Sequence, residues 1–339
     1  MEYRDLGWSG IQVSPICIGG MSFGKVIPGG HQWVCGPDET EAVIERAWEL
    51  GLNYIDTANC YATGTSEEYI GRAIKHLGIP RDKIVLQSKV FFNEGALSAA
   101  AIRREIDGTL GRLGTDYLDV YVIHRFDYDT PIEETLEALH GLVKEGKVRA
   151  LGASAMYAYQ FHDMQIIAQA NGWTPFTVMQ NHYNLLYRED ERELIPVCHQ
   201  YNVALAPYSP LASGHLARST WDSDSVRSRT DATMRQKYDA ARDDDMAIVE
   251  RVTEVARRLD RPMADVALAW LWARGVTAPT VGCSRPSRVT DAVMALNTML
   301  SDDDIAYIEE PYRAHELVGP LARPGEKPLA GTLVPAGVK

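Results

Sequence analysis

Short apolar runs of strand length alternate along this chain with longer stretches in which apolar residues recur at helical spacing. The runs are 16–21 ("ICIGGM"), 53–58 ("NYIDTA"), 83–90 ("KIVLQSKV"), 117–124 ("YLDVYVIH"), 148–154 ("VRALGAS"), 176–183 ("FTVMQNHY"), 203–209 ("VALAPYS") and 278–283 ("APTVGC"). They are rich in Val, Ile, Leu and Tyr, and several end in Gly, Ser or Pro, as strands do at their turns. Between them, 37–51 ("PDETEAVIERAWELG") opens on Pro and acids and stops at Gly, the grammar of a helix with both ends marked. The segment 66–78 ("SEEYIGRAIKHLG") reads likewise, with Ser66 as expected N-cap. So does 131–147 ("PIEETLEALHGLVKEGK").

Strand then helix, repeated, predicts a parallel sheet. Eight such repeats without a clear linker predict an α/β fold of the closed (β/α)8, or TIM-barrel, kind, spanning 1–339 as a single domain. An open doubly wound sheet would carry a GxGxxG turn after its first strand. Here "GGMSFGKVIPGG" is Gly-rich but wrongly spaced. Residues 1–15 read as an N-terminal hairpin around "GWSG". Two stretches interrupt the alternation. The polar segment 211–245 is expected to be a long loop, either a lid or a packed surface insertion. The Pro/Gly-rich tail 320–339 is expected to be irregular.

Composition narrows the function classes. The chain has 339 residues, 45% hydrophobic and 24% charged, with a net charge of −12. An acidic surface repels nucleic acid and anionic membranes, so neither is an expected partner. No run approaches the roughly 18 apolar residues of a membrane span, and no early apolar run with basic flanks suggests a leader. Five scattered cysteines (Cys17, Cys35, Cys60, Cys198, Cys283), in no CxxC pattern, read as reduced thiols of a cytoplasmic protein. They suggest neither a disulfide framework nor a metal site.

In a barrel of this kind, chemistry sits at the C-terminal ends of the strands. The second strand ends in Asp56, with Tyr61 five residues on; the third ends in Lys89 and the fourth in His124. A lysine among apolar residues needs a partner, and Asp56 is the expected one. An ammonium near a phenol is expected to lower the phenol pKa from about 10. A phenol acid with a histidine at the same rim suits reduction of a carbonyl, whose oxygen needs a proton as hydride reaches its carbon. No side chain donates hydride, so a nicotinamide or flavin must. Each residue alone has an ordinary reading: a strand-end cap, a packing tyrosine, a snorkelling lysine, a structural histidine.

The set "DTANCY", "LQSKV", "YVIHRFD", "ALGAS", "MQNHYN", "APYSPLASG" and "TVGCSRPSRV", in this order, resembles the aldo-keto reductase superfamily from "LGWSG" to about residue 311. It is most similar to the bacterial and fungal group related to aflatoxin-aldehyde-reductase-like and channel β-subunit-like members. The resemblance implies Asp56, Tyr61, Lys89 and His124 as a catalytic tetrad with Tyr61 as acid. It implies NADP(H) as coenzyme. Ser154 and Gln180 would hold the carboxamide, Tyr208 would stack on the nicotinamide, and Met21 and Asp56 would lie beside it. Ser209, Leu211 and Gly214 would cradle the pyrophosphate, and Gly282, Ser284 and Arg288 the adenosine 2′-phosphate. Two positions depart from the pattern: Ala155 and Ala292 stand where Asn contacts are usual. Arg285 and Arg288 leave two guanidiniums for a dianion, or else a solvated helix face.

Phe23, Trp33, Phe91 and Phe92, with Trp221, fall in βα loops, where they either line a substrate pocket or plug loop bases. The expected partner is a small carbonyl compound; which one, and the oligomeric state, are not legible. Two other functions remain at this point. One is a slow-turnover, nucleotide-sensing regulatory protein, which the resemblance permits. The other is a Schiff-base aldolase using Lys89, which a neighbouring Asp56 disfavours.

Overall fold

The structure is a computed structural model and describes residues 1–321. It opens with an antiparallel hairpin, β1 (Arg4–Asp5) and β2 (Gln12–Val13). A parallel sheet follows: β3 (Cys17–Gly19), β4 (Tyr54–Asp56), β5 (Val85–Val90), β6 (Leu118–Ile123), β7 (Val148–Ser154), β8 (Phe176–Gln180), β9 (Ala204–Leu205) and β10 (Thr280–Gly282). From β3 to β9 each strand pairs with the next, and β10 returns to pair with β3. Beyond β9, Ala278 N donates to Leu205 O at 3.2 Å and Thr280 N to Pro207 O at 2.9 Å. Those bonds close the ring, so the (β/α)8 barrel expected from the alternation is what forms.

The helices lie outside: α1 (Pro37–Glu49), α2 (Thr65–His76), α3 (Ala99–Leu113), α4 (Ile132–Lys144), α5 (Ala158–Ala170), α6 (Leu194–Gln200), α7 (Val226–Thr230), α8 (Ala232–Tyr238), α9 (Arg242–Leu259), α10 (Met263–Ala273), α11 (Pro286–Met294) and α12 (Asp302–Glu309). Two apolar layers result. Ile106, Leu139 and Phe161 pack helices onto the outer sheet face. Val85, Val120, Val122, Val178 and Ala204 fill the interior. Such uniform burial on both faces is why these strands read as continuous apolar runs. Leu6, Ile11 and Val13 of the hairpin join the interior cluster. Gly7 makes that entry possible: its φ is +59°, and a Cβ there would stand 2.5 Å from Thr177 O.

Two sequence expectations change here. Ser66 is not the N-cap of α2; Gly64 is, and Ser66 lies inside the first turn. Its hydroxyl donates to Gly20 O at 2.8 Å and meets Thr57 Oγ1 at 2.8 Å. It therefore ties the helix to the barrel rim. The segment 211–245 is not a bare loop. It folds into α7, α8 and the start of α9, anchored by buried Trp221, Met234 and Tyr238. The tail expected from residue 320 lies, beyond residue 321, outside the described residues.

Candidate active site

Asp56 ends β4, Lys89 sits near the end of β5, and His124 follows β6. Parallel register puts these three strand ends on one rim, and the turn after β4 brings Tyr61 back over them. Lys89 is fully buried. Its ammonium donates to Asp56 Oδ2 at 2.7 Å, to Thr57 O at 2.7 Å and to Tyr61 Oη at 3.1 Å. Three N–H groups thus find three acceptors. Asp56 also accepts from Gln87 Nε2 at 2.7 Å and Gln180 Nε2 at 3.1 Å. Gln87 is held in turn by Tyr54 Oη at 2.5 Å. The carboxylate that sequence reasoning assigned to Lys89 is therefore also gripped by two amides. Gln87 was missed because a glutamine within a buried strand carries no signal of its own.

Burial opposes charge on Lys89, but Asp56 and Tyr61 outweigh it and hold its pKa above the usual lysine value. For Tyr61 the balance runs against the expectation. Burial raises its pKa, and the lowering by Lys89 does not offset it because Asp56 acts in the opposite sense. The phenol therefore stays protonated. An ammonium has no lone pair, so Tyr61 Oη can only accept from Lys89. Its own proton is left for another acceptor. His124 has its pKa pushed well down, first by burial and then by Lys89, so its ring is neutral. Its Nδ1 lies 3.8 Å from Cys60 Sγ, and its ring meets Tyr61 and Phe92 edge-on at 5.7 and 4.9 Å.

These groups open onto a cavity of about 1600 Å³, above the roughly 300–1,000 Å³ common for a single small ligand. Met21, Asp56, Ser154, Gln180, Tyr208, Ser209, Leu211, Gly214, Gly282, Ser284 and Arg288 all line it. Trp33 and Phe92 do too, but Phe23 and Phe91 do not. Phe23 is fully buried in the core, and Phe91 packs below, under the Arg125 guanidinium at 5.3 Å. Trp221 is also withdrawn, stacked on His215 at 4.0 Å. Arg285 does not line the cavity, so of the two expected guanidiniums only Arg288 faces it. Arg218 lines it, yet its guanidinium donates to Gly214 O, Thr220 O and Trp221 O at 3.1, 3.0 and 2.8 Å. It braces the base of the 211–245 segment.

The backbone around the cavity is strained. Ala62, Thr63, Ala155, Ser209, Ala212 and Ser213 all have positive φ between 45° and 57°. Non-glycine residues avoid this region, and such strain clusters at ligand clamps and active sites. From 209 to 214 it recurs with Gly214 at +105°. Runs of this kind turn backbone N–H groups into anion-binding nests. Ser154 Oγ donates to Gln180 O at 2.6 Å, fixing two polar groups at the ends of β7 and β8.

The model of the aldo/keto reductase family matches residues 15–313. The chain belongs to that family. An aldo-keto reductase of Fusarium vanettenii is 41% identical over 94% of this chain and 93% of its own. The versiconal hemiacetal acetate reductase of Aspergillus parasiticus is 39% identical over 96% of this chain and 100% of its own. A putative aryl-alcohol dehydrogenase of Schizosaccharomyces pombe is 40% identical over 91% and 95%. Membership makes this aldo/keto reductase an oxidoreductase that uses a nicotinamide coenzyme on small carbonyl compounds. Among the described residues no helix is long and apolar enough to cross a membrane. All five cysteines are free thiols.

Proposed function

We propose that this aldo/keto reductase is an NADPH-dependent reductase of aromatic aldehydes or ketones, with Tyr61 as the proton donor. The observation that carries the reading is the Lys89–Tyr61 contact, which leaves the Tyr61 proton free for a carbonyl oxygen. Lys89 stabilises the phenolate left behind, and Asp56 holds Lys89 charged and in place. With the Cys60 thiol donating to His124 Nδ1, the ring proton lies on Nε2, a donor for the same oxygen. The coenzyme, when bound, supplies the hydride.

The residues present fit that coenzyme. The strained run 209–214 suits a pyrophosphate, the Tyr208 ring a nicotinamide, and Ser154 and Gln180 its carboxamide. Arg288, on the first turn of α11, adds a guanidinium to a helix N-terminus, a pairing suited to a 2′-phosphate. The aromatic substrate class rests on Trp33 and Phe92 in the cavity wall and on relatives named for aryl alcohols and versiconal hemiacetal acetate. Five free thiols suit a reducing compartment such as the cytoplasm.

The test is consumption of NADPH, followed at the nicotinamide absorbance, with a panel of aryl aldehydes, aliphatic aldehydes and ketones. The expected result is turnover that favours the aryl compounds. Tyr61→Phe should cost about 10² or more in rate while NADPH still binds. Near-normal turnover by the Phe variant would refute the assignment of the acid.

A further inference from the structure

Tyr208 stands at the centre of a stack. Its ring lies 5.1 Å from the ring of His182, the planes only 9° apart. The ammonium of Lys237, on α8 of the lid segment, lies 4.6 Å from the Tyr208 ring centroid. A face already covered by an imidazole cannot also carry an ammonium, so Lys237 takes the face that opens on the cavity. Both Lys237 and Tyr208 line that cavity.

We propose that in the coenzyme-free protein Lys237 occupies the nicotinamide seat on Tyr208, so that coenzyme binding must first withdraw this lysine. The inference rests on the reading of Tyr208 as the nicotinamide platform. It goes beyond that reading in assigning the seat an occupant built into the chain.

Three further observations support it. Among the described residues no carboxylate forms an ion pair with Lys237. Burial and the nearby Arg227 guanidinium lower its pKa to about 8, against a smaller opposing effect of Asp231. A lysine so placed is held by the aromatic face rather than by a counter-charge. Second, α8 is joined to the barrel at a few identifiable points. Tyr238 Oη meets His182 Nε2 at 2.8 Å and accepts from Asn184 Nδ2 at 3.2 Å. Arg227, on the preceding α7, lies 4.2 Å over the Trp33 ring and donates to Asp231 at 3.0 Å. The lid therefore docks on aromatic rings of the cavity itself, at Trp33 and at Tyr208, the surfaces a bound coenzyme and substrate would claim. Third, the C-terminal strap closes on the same spot. Gly319 has φ +92°, and a Cβ there would stand 3.2 Å from Tyr208 Oη and 3.8 Å from Lys237 Cε. A Cβ at 319 would crowd the Tyr208 hydroxyl and only touch the lysine stem, so this turn packs against both.

An occupant that must leave lowers apparent affinity by the fraction of protein in which the seat is open. Titration calorimetry on the full chain tests this with two probes, NADPH and adenosine 2′,5′-bisphosphate, which has no nicotinamide. Lys237→Met should tighten NADPH about threefold to thirtyfold, the range a cation–π contact spans, and leave the bisphosphate unchanged. Lys237→Arg keeps a cation able to lie on the ring and should bind NADPH about as the native protein does. Weaker or unchanged NADPH binding by Lys237→Met overturns the proposal; weaker binding would make Lys237 a coenzyme ligand. Equal tightening of both probes also overturns it, since the lysine would then act on the whole lid. If neither probe binds the native protein, the NADPH reading itself fails and the inference falls with it. If the bisphosphate alone fails to bind while Lys237→Met tightens NADPH, only the 2′-phosphate assignment is lost.

Discussion

The Lys89 ammonium donates to the Tyr61 hydroxyl at 3.1 Å, and the direction of that bond decides what each residue does. Tyr61 accepts on the lysine side and so keeps its proton for the cavity side. The remaining two donors of Lys89 are spent on Asp56 and Thr57. Lys89→Met removes the ammonium and leaves the Asp56 carboxylate buried with two amides and no counter-charge. Breaking a buried pair from one side costs about 3–5 kcal/mol. Urea denaturation should show a loss of that size together with loss of carbonyl reduction. A variant as stable as the native protein would mean that water reaches Asp56.

Arg288→Ala should weaken NADPH and leave NADH nearly untouched, because only NADPH carries the 2′-phosphate. A charge-assisted bond is worth about 1.5–3 kcal/mol, or roughly tenfold to a hundredfold in Kd. Equal losses for both coenzymes would move the phosphate contact to another group. Since Arg285 does not line the cavity, Arg285→Ala should change neither.

The barrel was legible because its strands are buried on both faces and its helices carry their own start and stop residues. The grouping of Asp56, Tyr61, Lys89 and His124 was legible because four chemically distinct residues fall at three successive strand ends. Other features were hidden for physical reasons. Phe23 and Phe91 occupy the same loops as Trp33 and Phe92, yet turn inward; spacing in an irregular loop says nothing about facing. Ser66 has the right identity for a cap, but a tertiary bond to Gly20 claims its hydroxyl. The segment 211–245 read as polar because Trp221, Met234 and Tyr238 are single anchors without a period. Lys237 sat within that polar stretch and looked like any surface lysine; only the folded position of α8 brings it to Tyr208.

Acid should destabilise the fold well before the carboxylates titrate. His124 and His182 have pKa values well below the usual 6.5, through burial and nearby lysines, and burial with Arg218 lowers His215 to about 4. A depressed value means that the unfolded chain binds protons the folded one refuses. Stability is therefore full above about pH 6.5 and falls as pH drops towards 4. His315 has the opposite sign: its pKa is raised, burial being outweighed by Asp245 at 3.0 Å. Its contribution is complete below about 6.5 and is lost at higher pH, so it adds no acid slope. Urea midpoints from pH 8 to pH 4 should fall, and His215→Phe should fall less steeply than the native protein. Parallel curves would show His215 to be solvated.

Amide exchange distinguishes a lid that moves as a block from one that moves at its free part. Trp221 and Tyr238 are buried, and Arg218 binds three carbonyls at the lid base. Residues 211–221 should exchange slowly with or without NADPH. The α7–α8 stretch, 225–237, whose exposed residues outnumber its buried ones, should gain protection when NADPH binds. Protection that appears across all of 211–245 at once would mean that the base opens as well.

Ala155 holds the last clue to coenzyme binding. It follows Ser154 at the end of β7 and has φ +45°, although alanine gains nothing in the left-handed region. Asparagine, the residue the family pattern favours there, tolerates that conformation because its short amide bonds locally. The backbone here thus has a shape that suits asparagine better than the alanine present. Substitution there should have two separable effects. Ala155→Gly relieves strain alone and should stabilise the fold by on the order of 1 kcal/mol less the entropy glycine adds to the unfolded chain. Ala155→Asn relieves the strain and also offers an amide to the carboxamide that the proposed function assigns to Ser154 and Gln180. It should tighten NADPH by up to about tenfold, the worth of one net hydrogen bond, where the glycine variant does not. Thermal melts and coenzyme titration on both variants separate strain from contact. If Asn lowers stability while Gly raises it, the buried space around Ala155 has closed around a methyl group, and one substitution cannot add the contact.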